Sequence, residues 1–170
     1  MANQAFIDAQ NLYLGTTQSA TPWKIDLARF RVHLEQKYKV TEAYYFLGAF
    51  DPEQQNLYNL IQKSGFLLRF REHTPVMSGK KKGNVDTDIV FIIMQKLYAK
   101  EKFDKVILVS GDGDYKRMVS FLIEEKRFVK LIVPSRKQMS SLYKTIDSSF
   151  IDALDSKDKK TLLRYKKKSK

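Results

Sequence analysis

Short β-prone apolar runs alternate along this chain with longer stretches of helical spacing. Ala5-Phe6-Ile7 is an apolar run ending at Asp8 and reads as a first strand, with Asn11 three residues on and a polar loop through Thr16, Thr17 and Ser19. Thr21-Pro22 has the form of a helix start, an N-cap followed by proline at the first helical position. It predicts a helix over 23–38 with Leu27, Arg31, Leu34 and Tyr38 on one stripe. Residues 41–49, rich in aromatic and β-prone side chains, predict a second strand. Asp51-Pro52-Glu53-Gln54 starts another helix, with Asp51 as cap, Pro52 at the first position and Gln54 as capping-box partner. Leu57, Leu60 and Ile61 form its apolar face and Gly65 ends it. Residues 66–71 alternate Phe66, Leu68, Phe70 with Leu67, Arg69, Arg71, which predicts a third strand, at a sheet edge.

Residues 72–84 form a long polar connection with Pro75, Gly79, Gly83 and the run Lys80-Lys81-Lys82. Loops of this length are usually functional or disordered; the lysines suggest a phosphate-contacting flap, and a solvated loop is the alternative. Residues 85–100 predict a helix so apolar that it should be largely buried. On it Asp86 shares a stripe with Val90, Ile93 and Leu97, whereas Asp88 lies ~200° around the axis. The more apolar stripe selects Asp86 to face the sheet. The segment 103–118 reads as a strand (Val106 to Val109), a tight Ser110-Gly111-Asp112-Gly113-Asp114 turn, and a helix. The helix carries Tyr115, Met118, Val119, Leu122 and Ile123 at i, i+3, i+4, i+7 and i+8. Residues 128–133 make a fifth strand ended by Pro134, and 135–155 hold short amphipathic pieces around Leu142, Ile146, Phe150, Ile151 and Leu154.

Strands alternating with helices, without hairpin signals, predict an α/β fold: a parallel sheet covered by helices on both faces. If three strands build outward and the fourth returns beside the first, the order is 3-2-1-4-5. The switch point, where such sheets bind ligands, then falls between the strands bearing Asp8 and Asp112. One domain over 1–156 and a basic tail over 157–170 account for the chain, without an internal repeat.

Composition narrows the chemistry. No cysteine occurs and only two histidines, His33 and His73, in 170 residues. Thiolate zinc sites, disulfide scaffolds and most histidine-dependent triads are thereby set aside. Any metal must be held by oxygen. The net charge is +12, of which 157–170, with eight basic residues and one acidic, supplies +7. Such a balance attracts polyanions, nucleic acid first among them, unless the tail serves only solubility. The tail's composition predicts disorder or a short helix formed only on a partner, and makes it a candidate surface for a second copy or a protein partner. No stretch approaches a membrane span and the N-terminus lacks a signal-peptide pattern, so a cytoplasmic location is expected.

Under this topology Asp8, one of Asp86 and Asp88, Asp112 and Asp114 converge on one crevice. Clustered carboxylates repel one another, and a hard divalent cation, Mg²⁺ or Mn²⁺, relieves that. A cation beside lysines suits phosphodiester hydrolysis. Asn11 could orient a water or a phosphate oxygen, or simply stabilise its turn. Asp112 equally has a plain reading as a helix cap.

The sequence resembles the NYN domain family of the PIN-like nuclease superfamily. The matching pieces are Phe6-Ile7-Asp8-Ala9-Gln10-Asn11-Leu12, Lys82-Gly83-Asn84-Val85-Asp86-Thr87-Asp88 and Leu108-Val109-Ser110-Gly111-Asp112-Gly113-Asp114-Tyr115, in the family's order and spacing. The resemblance implies a three-layer α/β/α sandwich and a metal-dependent ribonuclease acting on RNA, single-stranded by preference. The family's acidic positions map onto Asp8, Asp86, Asp112 and Asp114, with Asn11 as the accompanying polar residue and Asp88 as an outer supporting carboxylate. Lys80, Lys81, Lys82, Ser110 and Lys116 are the expected nucleic-acid contacts. Many relatives carry a further acidic residue where this chain has Ile92, and Asn84 is inserted in the usual Lys-Gly-Val-Asp pattern.

Other readings fit less well. A haloacid-dehalogenase-type phosphatase needs a second aspartate where Gln10 stands, and neither a dinucleotide nor a Walker motif is present. The main rival is a non-catalytic RNA-binding or regulatory module that keeps the fold and basic surface.

Overall fold

The computed structural model describes residues 2–71 and 85–167. In chain order they form β1 (Asn3–Asp8), α1 (Ala9–Thr16), α2 (Leu27–Tyr38), β2 (Val40–Leu47), α3 (Gln55–Lys63) and β3 (Leu67–Phe70). There follow α4 (Asp86–Tyr98), β4 (Val106–Val109), α5 (Lys116–Glu124), β5 (Phe128–Val133), β6 (Ile151–Ala153) and α6 (Lys157–Leu163). All strands pair in parallel in the order β3-β2-β1-β4-β5-β6. The expected order thus holds and is extended by one strand. β6 is only three residues long, too short to announce itself by period, and it exists because Leu131, Ile132 and Val133 offer it a partner.

Side-chain alternation along the strands sorts the core into two layers. Ala5, Ile7, Tyr45, Ile107 and Val109 face Leu12, Phe30, Leu34 and Leu163 of α1, α2 and α6. Phe6, Phe46, Val106, Leu108 and Leu131 face Ile89, Ile93, Met118, Val119 and Leu122 of α4 and α5. The result is the expected three-layer α/β/α sandwich.

Four local expectations are corrected. The stretch after Asp8 is a helix, α1, capped by Asp8 itself; weak amphipathicity and Gly15 disguise it in the sequence. Gly15 is required there, because a Cβ at that position would lie 2.4 Å from Pro134 Cβ, at the end of β5. Next, α2 begins at Asp26, whose carboxylate accepts the Arg29 N–H at 3.1 Å, and not at Thr21-Pro22. Third, α4 is not largely buried: Ile89 and Ile93 are inaccessible, but Phe91 is 63 % exposed, because only one face of the helix meets the sheet.

Finally, residues 157–163 are not disordered. Leu163 enters the core, and an antiparallel bridge pairs Ile25 with Arg164. One apolar side chain placed at the right register overrides the lysine-rich composition. Among the described residues no helix is long and apolar enough to cross a membrane.

Candidate functional site

Asp8 closes β1 and caps α1, so it stands at the switch point between β1 and β4. It is 4 % exposed. Its Oδ1 accepts the Asn11 N–H at 3.0 Å and its Oδ2 accepts the Tyr115 hydroxyl at 3.1 Å. Burial pushes the Asp8 carboxyl above the usual range; the two hydrogen bonds pull it back, and the Asp112 and Asp86 carboxylates push it up further. The same surroundings raise the Tyr115 phenol, burial first and the Asp8 charge next.

The Gly111–Asp114 turn is held in place from three sides. Asn11 Oδ1 accepts the Gly111 N–H at 2.7 Å, tying α1 to the turn after β4. Asp112 caps the short 3-10 turn Gly113–Tyr115, its Oδ1 accepting the Asp114 N–H at 3.0 Å. Tyr143 donates its hydroxyl to the Asp112 carbonyl, and Ser140 donates its N–H to the Gly111 carbonyl at 2.9 Å. A side chain at Gly113 would lie 2.4 Å from Ser140 Oγ, so glycine is needed for this approach.

Of the carboxylates expected at the site, Asp112 and Asp86 lie near enough to Asp8 to push its carboxyl up, each by less than burial does. Asp114 is exposed and lies on the Tyr143 side of the turn, where it and Asp112 push that phenol up beyond the effect of burial. Asn11 braces a turn, and the turn is the one bearing Asp112. Asp112 caps as well as facing Asp8.

Ser110 is corrected as a nucleic-acid contact: it is fully buried, and its Oγ accepts the Asp112 N–H at 3.1 Å. Lys116 opens α5 beside the turn and is partly exposed. Lys80, Lys81 and Lys82 lie outside the described residues. Ile92 packs against the α4–α5 side of the core.

Two site residues escape a reading of the sequence. Tyr115 reads as the apolar opening of α5, and Tyr143 sits in an irregular stretch; only the fold shows that their hydroxyls reach the acidic loop. Tyr115→Phe removes a donor from a buried carboxylate and should cost about 1–3 kcal/mol, read as a lowered urea midpoint. An unchanged midpoint would show that the hydroxyl does not support Asp8.

The donors are all oxygen, and Asp8 suffers a like-charge push that a cation would relieve. Among the described residues, however, no three carboxylate or imidazole side chains stand close enough to hold an ion together. Mg²⁺ commonly keeps several waters and takes only one or two carboxylates directly, so the spacing is compatible with a hydrated ion.

An all-parallel α/β/α sandwich with a buried aspartate at its switch point, flanked by carboxylates from two helices' starts, is the architecture of a PIN-like nuclease domain. The chain belongs to the NYN domain family, a PIN-like nuclease family, which it matches over residues 4–156. It is 24 % identical over 136 residues to the low amplitude and bright protein LabA of Synechococcus elongatus, covering 75 % of this chain and 70 % of that protein. In structure it is similar to a protein of unknown function, VPA0982, from Vibrio parahaemolyticus, with a TM-score of 0.73, 23 % identity and 96 % of each chain covered. That likeness concerns the fold.

Proposed function

We propose that this chain is a metal-dependent ribonuclease that hydrolyses phosphodiester bonds of single-stranded RNA. The observation that carries the reading is Asp8: a carboxylate 4 % exposed at the switch point, made less comfortable as an anion by burial and by Asp112 and Asp86. Keeping a charge in that position costs stability, and a fold retains such a cost most readily where the charge has work to do.

Asp8, Asp86, Asp112 and Asp114 would share a hydrated Mg²⁺ or Mn²⁺, one or two of them directly and the others through its waters, with Asp88 further out. Bound there, the ion would supply a lowered water pKa and charge stabilisation on the phosphate. The chain's own residues set the stage. Tyr115 and the Asn11 N–H fix both oxygens of Asp8, so the carboxylate cannot rotate away. Asn11 spends its carbonyl on Gly111, leaving its amide nitrogen to meet a phosphate oxygen. The brace of Tyr143 and Ser140 holds Asp112 against drift. Lys116 adds positive charge at the rim.

A second reading, an RNA-binding module without turnover, is favoured by one observation, the absence among the described residues of a tight three-carboxylate group. Asp112→Asn separates the two, because asparagine caps as well as aspartate and the turn should survive. The enzyme reading predicts loss of RNA cleavage with binding intact or stronger. Cleavage at the parent rate would remove Asp112 from the machinery.

A further inference from the structure

Beyond the carboxyl ends of β5 and β6, an open cavity of about 460 Å³ is lined by Arg136, Lys137 and Lys159 together with Asp152 and Asp155. Its acidic members are already engaged. Asp152 accepts hydrogen bonds from Lys37 at 3.0 Å, from Lys159 and from the Tyr38 hydroxyl. Asp155 Oδ2 accepts the Arg136 backbone N–H at 2.9 Å.

The cations outnumber them, since Lys37 and Lys130 stand close enough to act on Lys159 alongside Arg136. Burial, and then these three charges, push the Lys159 ammonium down to about 8. Asp152 pairs with Lys37 and Lys159, but two carboxylates, Asp152 and Asp155, face Arg136, Lys137, Lys159, Lys37 and Lys130, so the field stays positive. Arg136 and Lys137 are exposed and have side chains suited to a phosphate, one a planar fork and the other a point charge.

The cavity is also linked to the acidic site. Arg136 and Lys137 lie on a short 3-10 turn, Arg136–Gln138, that runs directly into Met139 and Ser140. Ser140 bonds to the Gly111 carbonyl, and Met139 Cα lies 3.4 Å from where a side chain on Gly111 would begin. Met139 follows Lys137 by two positions, at most about 7 Å of chain. A polyanion crossing the acidic turn would meet this cavity next.

We propose that the cavity is a phosphate subsite, in which Arg136 and Lys137 grip a backbone phosphate of the RNA flanking the one that is cut, with Lys159 beneath it. The proposal rests on the nuclease reading above and adds to it the course of the substrate. It gives Lys159, in the basic C-terminal segment, a defined task in place of diffuse attraction.

The test is the double variant Arg136→Ala/Lys137→Ala, two exposed side chains whose removal should leave the melting temperature unchanged. Binding of a labelled single-stranded RNA is measured in EDTA across a salt series, with adenosine monophosphate and inorganic phosphate as competitors. The affinity should fall roughly tenfold, and the slope of log K against log salt should become shallower by ~0.7 for each phosphate that is no longer gripped. The cleavage rate at saturating RNA should be retained, with KM raised. RNA bound equally well by both proteins with equal slopes would overturn the subsite and leave the nuclease reading standing. No RNA binding by the parent protein would overturn the reading beneath it. Equal competition by inorganic phosphate and RNA, site for site, would assign the cavity to free phosphate and also overturn the proposal.

Discussion

Asp8→Asn should abolish metal-stimulated RNA cleavage and at the same time make the protein more stable at neutral pH. The first effect follows if Asp8 contributes to transition-state charge stabilisation worth several kcal/mol, which corresponds to a loss on the order of 10²-fold or more. The second follows from linkage. In the folded protein the Asp8 carboxyl is raised above its ordinary value by burial and by its acidic neighbours, so the native state binds that proton more tightly than the unfolded chain. The stability Asp8 contributes is therefore fully present below about pH 4, the ordinary carboxyl value, and is lost as pH rises through the raised folded value. At pH 7 the ionised group is a net cost, and the neutral amide removes it while keeping the α1 cap.

The measurement is thermal unfolding of both proteins from pH 3 to 8, without and with Mn²⁺. The variant should melt higher at pH 7, the difference should vanish in acid, and Mn²⁺ should raise the melting point of the parent alone. A variant less stable than the parent at pH 7 would show that Asp8 is a structural cap held by Asn11 and Tyr115. Equal stabilisation of both proteins by Mn²⁺ would place the ion elsewhere.

Leu163→Ala should destabilise the protein by about 2–5 kcal/mol, the usual range for a buried leucine, although it sits in what composition alone marks as a solvated tail. Leu163 is fully buried in the core layer that also holds Trp23 and Leu27. Its carbonyl accepts the Asp26 N–H at 2.8 Å, and Tyr165 donates its N–H to the Lys24 carbonyl at 2.8 Å. At about 2–4 °C per kcal/mol for a domain of this size, the melting point should drop by roughly 4–20 °C. A drop under about one degree, far below that range, would mean that α6 is not docked in solution. Removing residues 157–170 to test their charge would therefore also remove part of the core. Truncation after Tyr165 is the cleaner experiment, since it deletes Lys166, Lys167, Lys168 and Lys170 and leaves Leu163 in place.

Much of the site is legible in the sequence because its chemistry is local to strand ends. Asp8 follows three apolar residues, and Asp112 follows Val106 to Val109 and two turn residues, so both can be placed at carboxyl ends of strands before any contact is known. The preference for Asp86 over Asp88 is drawn from helical phase, which is set within the helix itself. Ser110 misleads because a hydroxyl in a glycine-rich turn looks available; its burial depends on β5, whose Ile132 carbonyl takes the Ser110 N–H at 3.1 Å. The two tyrosines are invisible for the same kind of reason. A phenol reads as apolar in a helical pattern, and its single polar atom finds a partner only when another element arrives.

The sequence alone determined the alternation of strands and helices, the central pairing around β1 and β4, and the acidic residues at their ends. These depend on side-chain period and on turn chemistry, which act within a few residues. Tertiary structure alone decided β6, the docking of α6, the bracing of Asp112 by Asn11 and Tyr143, and the cavity that brings Arg136, Lys137 and Lys159 together. Each of these joins residues far apart in the chain, and such a contact is stabilised only once the sheet has brought both sides into reach and removed them from water.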